Sequence, residues 1–451
     1  MRKLILSLAA TPLILSSIAV SAQAADDAAV KADSGFNIFS DVKFKGELRP
    51  RYQFTNAKKD KRDSGHQLTN RTNLNFSATM FHLDGLTGTM ELNAVNDFGS
   101  EQSGATKQVG GEATVAKISQ ANVSYTIAGV TGIAGRKTVN IDNQRFIGSV
   151  GWKQNFQTFD LAAVAYGIGG FSVLGAYVYG VNAIGDSGYD YGRNPEPKYA
   201  GGIASGRTNS ALLNLGYKFA DPVKLTGYAY LLGSASDTYG LSVTGKIAVG
   251  KDVKLNYRAE GAIQTKATLK TFGNPVSKNK EHPDSLLGSA GYVNLDFGAN
   301  VYGFLGGINY EVLGGADKDD AKTSQFQTPL ATKHKFNGWA DQFLATPGSG
   351  LADLNLRFGY QFDTAGKIIA VYHFFGAAAD AKGGNTDGSD IKSGDAYGQE
   401  FDIAYSAKIP GAPGLKGLLK AAVYSDDDKN GVTTSDKSIV WVQLDYKFAT
   451  K

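Results

Sequence analysis

The sequence predicts an all-β fold: a transmembrane antiparallel β-barrel of about eighteen strands, with short periplasmic turns and long extracellular loops. Three observations predict it. Segments of alternating polarity recur from about Asp41 to the C-terminus. The connections between them alternate between short and long. The chain also begins with an export signal yet contains no cysteine, so it must hold together without disulfides. A closed ladder of backbone hydrogen bonds meets that requirement.

The N-terminus is read first. Arg2 and Lys3 precede an apolar stretch from Leu4 to Val20, and Ala22-Gln23-Ala24 has the small-x-small form of a cleavage site. Residues 1–24 are therefore expected to be a signal peptide, residues 25–40 a short N-terminal periplasmic segment, and residues 41–451 the barrel. Pro12 and the lack of a basic stop-transfer flank argue against a membrane anchor. Removing residues 1–24 takes away Arg2 and Lys3 and no acid, so the formal net charge of +4 becomes +2. That near-balance argues against a nucleic-acid partner.

The strands follow from parity. In Val42–Tyr52 one set of alternate positions reads Val, Phe, Gly, Leu, Pro, Tyr, and the other reads Lys43, Lys45, Glu47, Arg49, Arg51. Successive side chains of a strand point to opposite faces, so one face is apolar and the other charged. In the last strand Val440, Val442, Leu444, Tyr446 and Phe448 share one face, opposite Trp441, Gln443, Asp445 and Lys447. An aromatic near the C-terminus on the apolar face resembles the terminal signal of outer-membrane barrels, although Ala449-Thr450-Lys451 follow it. Eighteen such segments begin near residues 42, 68, 86, 116, 130, 157, 171, 207, 223, 238, 253, 285, 300, 351, 367, 397, 415 and 438.

Short turns are expected at 82–85, 127–129, 219–222, 250–252, 363–366 and 410–414, and long polar loops at 99–115, 183–206, 267–284, 313–350 and 379–396. The connection before residue 238 is short and breaks the alternation. A soluble β-sandwich would rarely repeat an apolar stripe on every strand, and a β-helix would show a fixed repeat that is absent. An even strand count puts both termini in the periplasm, and the expected location is the bacterial outer membrane.

The opposite parity lines the lumen. It carries Lys43, Lys45, Arg49 and Arg51, then Arg71 with Asn73 and Asn75, Arg258 with Asn256 and Glu260, and Arg357 with Asn355 and Gln361. Lys218 and Lys447 fall inward near the periplasmic end. A charge on the lipid face near the midplane would cost about 2–4 kcal/mol, which makes the parity assignment sharp. Two readings of the arginines stay open. They attract anions, since guanidinium groups stay charged and fork onto carboxylates, or they neutralise Glu47, Glu91 and Glu260 in a structural ladder.

Two further blocks stand out. One runs Gly135-Arg136-Lys137-Thr138-Val139-Asn140-Ile141-Asp142-Asn143-Gln144-Arg145-Phe146-Ile147-Gly148 and continues as Gly151-Trp152-Lys153-Gln154-Asn155-Phe156-Gln157-Thr158-Phe159-Asp160. The other runs Thr332-Lys333-His334-Lys335-Phe336-Asn337-Gly338-Trp339-Ala340-Asp341-Gln342-Phe343, with Thr346-Pro347 and Gly350-Leu351-Ala352-Asp353 after it. They resemble the signature blocks of the alginate-export family of outer-membrane porins. The resemblance implies an eighteen-stranded monomeric barrel with an arginine-rich lumen, through which the family's best-known member secretes a polyuronate. It also implies that Arg136, Arg145 and Asp160 sit at or near the pore or its extracellular loops. Lys137 stands where the family pattern has Gln and Lys153 where it has Arg, which keeps the charge but loses the planar fork. From the residues alone, Trp152, Phe156 and Phe159 read as an interfacial aromatic girdle. The loop at 313–350, with Lys333, His334, Lys335, Trp339 and Asp341, reads as a constriction or lid.

The remaining candidates are weak. Asp426, Asp428, Asn430 and Gly431 match the first half of a calcium loop, but position 437 is Lys where a closing Glu is needed. An extracellular hairpin is the expected structure there. With Asp317, Asp319 and Asp320 it leaves room only for weakly held calcium, and no other cofactor is expected. The five His show no metal-ligand spacing, and no Ser/His/acid set suggests an enzyme. The sequence thus points to a channel for hydrophilic, anionic solutes. A polysaccharide exporter and a surface adhesin or receptor are the alternatives. The expected partners are outer-membrane lipid and lipopolysaccharide, with small anionic solutes or acidic polysaccharide as cargo.

Overall fold

The computed structural model describes residues 38–450, apart from 58–63, 103–111, 113, 185–205, 234, 270–287, 317–323, 382–388 and 428–434. The expected signal peptide, most of loops 183–206 and 267–284, and the calcium candidates Asp317, Asp319, Asp320, Asp428, Asn430 and Gly431 lie outside the described residues.

The chain forms one closed eighteen-stranded sheet. Its strands are β1 (Phe39–Ala57), β2 (Gly65–Met80), β3 (Leu86–Gln102), β4 (Val115–Ile127), β5 (Val130–Lys137), β6 (Thr158–Ile168), β7 (Phe171–Asn182), β8 (Gly206–Ala220) and β9 (Val223–Leu232). They continue as β10 (Ser236–Val249), β11 (Val253–Thr265), β12 (Ala290–Val301), β13 (Phe304–Leu313), β14 (Leu351–Gln361), β15 (Lys367–Gly376), β16 (Ala396–Lys408), β17 (Leu415–Asp426) and β18 (Lys437–Ala449). Each strand pairs antiparallel with the next, and β1 closes on β18 in a register that sets Leu48 opposite Tyr446 and Tyr52 opposite Val442. Closure leaves no free edge, which a membrane demands because lipid cannot satisfy unpaired amides.

Parity holds as expected. Leu48, Tyr52 and Phe54 are exposed on the outer face of β1, while Arg51, Gln53 and Thr55 are buried within. On β18 Val440, Val442, Leu444 and Tyr446 face out and Trp441 and Gln443 are buried. The terminal aromatic has a seat: Phe448 lies opposite Gly46, and a Cβ at that glycine would fall 2.2 Å from the Phe448 ring. Phe44 stacks beside it at 5.8 Å, and Phe76 beyond at 4.9 Å from Phe44, so the seam carries an aromatic patch. The strand starts depart most at β12 and β13, which begin at Ala290 and Phe304 rather than near 285 and 300. For β13 the cause is a two-residue hairpin at Tyr302-Gly303, both with positive φ, and tyrosine rarely announces such a turn. Residues 233–235 make the one short connection on the long-loop end.

Candidate functional site: two loops folded into the lumen

The β5–β6 connection (138–157) and the described part of the β13–β14 connection (314–350) do not stand above the barrel. They fold into it and pair with each other. The Gly148 amide donates to the Leu330 carbonyl at 2.9 Å, and the Thr332 amide to the Gln144 carbonyl at 3.1 Å. The contact is close because Gly148 has no side chain: a Cβ there would sit 2.1 Å from the Thr332 hydroxyl. The Gln157 side chain bridges the seam, donating to the carbonyls of both Gly148 and Leu330. The two sequence blocks, nearly two hundred residues apart, are thus one structural unit.

Arginines fasten this unit to the wall. Arg49 on β1 donates to the Gly151 carbonyl at 3.0 Å, Arg51 to that of Trp152 at 2.6 Å, and Arg71 on β2 to that of Lys153 at 3.1 Å. The Arg51 guanidinium also lies 4.1 Å from the Trp152 ring, and that of Arg71 lies 4.5 Å from the Phe156 ring. Each has an acidic partner: Asp445 and Glu47 for Arg49, Glu112 for Arg51, and Glu47 for Arg71. Deeper in the unit, Arg145 forks onto Glu311 of β13 at 2.7 and 3.0 Å and donates to Asn337 at 2.9 Å. Planar guanidinium groups suit this work, since one group can bind a carboxylate, a carbonyl and a ring face together. Arg136 stays in the wall, paired bidentately with Asp160 on the adjacent strand.

Trp152, Phe156 and Phe159 are not a lipid-facing girdle. Trp152 and Phe156 pack under wall arginines, and Phe159 is fully buried. The strand-end position misled because an amphipathic aromatic fits either side of a barrel wall.

A second anchor holds the 332–343 block. Lys420 on β17 places its Nζ 4.0 Å from the Trp152 ring, 4.0 Å from Trp339 and 5.1 Å from Trp441, so the chain's three tryptophans surround one nitrogen. The same Nζ donates to His334 Nε2 at 2.7 Å. That fixes His334 as the neutral tautomer with its proton on Nδ1, which donates to Asp341 at 2.8 Å. The His334 ring stacks flat on Trp152 at 4.7 Å. Burial pushes His334 down to about 3, with Asp341 pulling the other way. Burial alone would raise the Asp341 carboxyl, yet the His334 N–H beside it holds it below the usual carboxylate range. On β16, Asp402 accepts from the Trp339 amide at 3.1 Å and Glu400 from the Ala340 amide at 2.6 Å. Lys333 donates to the Leu344 carbonyl, and burial brings its amine down to about 7. Lys153 adds positive charge near Asp341.

Below this roof lies a cavity of 1720 Å³, reaching from the loops toward the short turns. Its lining includes Arg258, Arg357, Lys335, Trp339, Asn309 and Asn355. Arg258 is held by Asp142 and Glu260, and Arg357 by Asp296. Arg49, Arg51, Arg71, Arg136 and Arg145 do not line it. Lys43 and Lys45 are exposed at the end of β1, apart from both loops and cavity. Sequence reasoning missed Glu112, Glu311, Glu400, Asp402 and Lys420. The last four carried a signal, because each is charged and sits at an inward parity of its strand.

No family model matches the chain, and no curated protein matches it. Solved structures do. Pseudomonas aeruginosa OpdK, solved with vanillate, superposes with a TM-score of 0.66 at 12% identity, covering 92% of this chain and 100% of that one. The fold is that of the outer-membrane porins. Acinetobacter baumannii OccAB4 (TM-score 0.65, 12% identity, 91% and 99% covered) and Pseudomonas aeruginosa OccK9 (0.66, 15%, 91% and 99%) agree. This barrel is accordingly an outer-membrane one, with its apolar face toward lipid. The alginate-export resemblance has no family model behind it, and the similar structures are of the OpdK and OccK kind.

Proposed function

We propose that the chain is a non-enzymatic outer-membrane channel that passes small hydrophilic anions past the two inward loops. The observation that carries this reading is the 1720 Å³ cavity inside a closed barrel, with basic and amide side chains along its walls. Lys335, Arg258 and Arg357 offer charge to a carboxylate, and Phe336 and Trp339 offer a face to a ring. Vanillate, an aromatic carboxylate seen with OpdK, has both features. The arginines serve this function mainly by holding the loops, which set the bore.

A second reading, polysaccharide export, is favoured by one fact: the two blocks that resemble the exporter family are the two that pair across the lumen. The adhesin reading, in which loops 183–206, 313–350 and 379–396 would form the binding surface, loses one of them, because the described part of 313–350 is turned inward. Planar-bilayer recording tests the proposal. Discrete conductance steps with a reversal potential favouring anions are expected, and a flat trace with correctly folded protein would overturn it.

A further inference from the structure

All seven arginines whose side chains are described are ion-paired: Arg49, Arg51, Arg71, Arg136, Arg145, Arg258 and Arg357. A run of inward lysines, except for its edge member Lys218, is not. Lys218, Lys224, Lys246 and Lys254 stand on the four consecutive strands β8 to β11 and all line the large cavity near the short turns. Lys218 and Lys224 are direct register partners. Thr244, opposite Lys224, is two residues from Lys246, and Asn256, opposite Lys246, is two residues from Lys254. Consecutive members are therefore direct or diagonal neighbours, about 5–8 Å apart at their Cβ atoms. Lys218 reaches the exposed turn residue Asp221. Among the described residues Lys224, Lys246 and Lys254 form no ion pair, and Asp142, the acid near Lys224, is already bound by Arg258.

Like charges on facing strand positions destabilise a sheet. Four in a row, with one exposed counter-charge, gain nothing for the fold. Lysine also differs from the paired arginines: its ammonium is a mobile point charge on a flexible stem, able to converge on a target rather than fork onto a fixed one. A monoanion would neutralise one of these ammonium groups and leave its neighbours repelling. An anion bearing two or three carboxylates would neutralise the group as a whole.

We propose that Lys224, Lys246 and Lys254, with Lys218 at their edge, form a capture site for polycarboxylates at the periplasmic mouth of the lumen. Its transport role rests on the channel reading above, but its binding role does not. The charge selectivity of the barrel then resides in these lysines more than in the ion-paired arginines Arg258 and Arg357.

Citrate is the probe, with acetate as the monovalent control. In single-channel recordings, citrate added on the short-turn side should reduce the chloride current at concentrations where acetate does not. K224Q/K246Q/K254Q should raise the half-blocking concentration about tenfold or more, as expected for loss of three partly exposed charges. Heat-modifiable electrophoretic mobility verifies that the variant is folded. An unchanged half-blocking concentration overturns the site. If wild-type protein shows no conductance, the channel reading fails, and calorimetric titration of citrate into the detergent-solubilised protein decides the site alone. Citrate binding weakened about tenfold or more in the variant upholds the site, and binding that is absent or unaltered overturns it.

Discussion

The Nζ of Lys420 lies 4.0 Å from the Trp152 ring, although Lys420 belongs to the barrel wall and Trp152 to an inward loop. Trp339 of the other inward loop lies at the same distance, and Trp441 of the neighbouring strand lies at 5.1 Å. One side chain therefore joins both loops to the wall. Cation–π contacts of desolvated groups contribute about 2 kcal/mol, and a hydrogen bond to a charged group about 1.5–3 kcal/mol. Lys420→Met should release the loops without unfolding the barrel. Because the protein's tryptophans all surround this point, the release is directly visible. Emission should shift to the red and acrylamide quenching should rise, while the strand content by circular dichroism stays constant. An emission spectrum identical to wild type would refute the anchor.

Arg145 makes the other junction, and here the chemistry separates removal from replacement. Arg145 and Glu311 are both fully enclosed and bidentate. Truncating one partner of such a pair leaves a buried charge and costs about 3–5 kcal/mol, whereas replacing both by apolar groups can be neutral. Arg145→Ala should therefore make the current noisier and larger, as the loops lose their hold on β13. Arg145→Met with Glu311→Met should recover most of the quiet baseline. If the double variant is no better than the single, the pair acts through something other than charge balance.

The barrel was legible in the sequence because its physics is local. A charge on the lipid face is costly at every position, so Val42–Tyr52 and the last strand each declare two faces within a dozen residues. The loop unit was legible only in part. Lys333, His334, Lys335, Trp339 and Asp341 were expected at a constriction; His334, Lys335 and Trp339 line the cavity. Their partners Lys420, Glu400 and Asp402 come from other strands, at separations that no local pattern encodes. Arg49, Arg51 and Arg71 were placed on the correct face, but parity does not distinguish an arginine facing water from one clamping a folded-in loop.

The His334 anchor carries a pH dependence of definite sign. Burial holds the ring down to about 3, against 6.5 when free. Between those values the released loop binds a proton that the docked loop does not, so docking weakens as the pH falls through this window. The slope is at most about 1.4 kcal/mol per pH unit. Asp341, held low by His334, adds further loss only below its ordinary range near 3.8. Tryptophan emission should shift red as the pH is lowered from 6.5 toward 4. His334→Gln, which cannot take up the proton, should remove the shift in that interval. A variant with the same acid response as wild type would assign the effect to other groups.

Gly46 tests the closure of the barrel. It faces outward on β1, directly opposite Phe448 of β18, and the aromatic ring covers the space a side chain would need. Gly46→Val should displace the Phe448 ring from its seat and from contact with Phe44. Overpacking of this kind costs about 1–3 kcal/mol. Unlike the loop variants, this one acts on the seam that completes the hydrogen-bond ladder. The loss should therefore appear in assembly, as a smaller folded fraction on heat-modifiable electrophoresis after refolding into lipid. Conductance of the molecules that do fold should be unchanged. Adding Phe448→Ala to Gly46→Val should restore part of the yield, since the clash is with that ring. A further fall in yield would show that the ring is needed for closure in its own right.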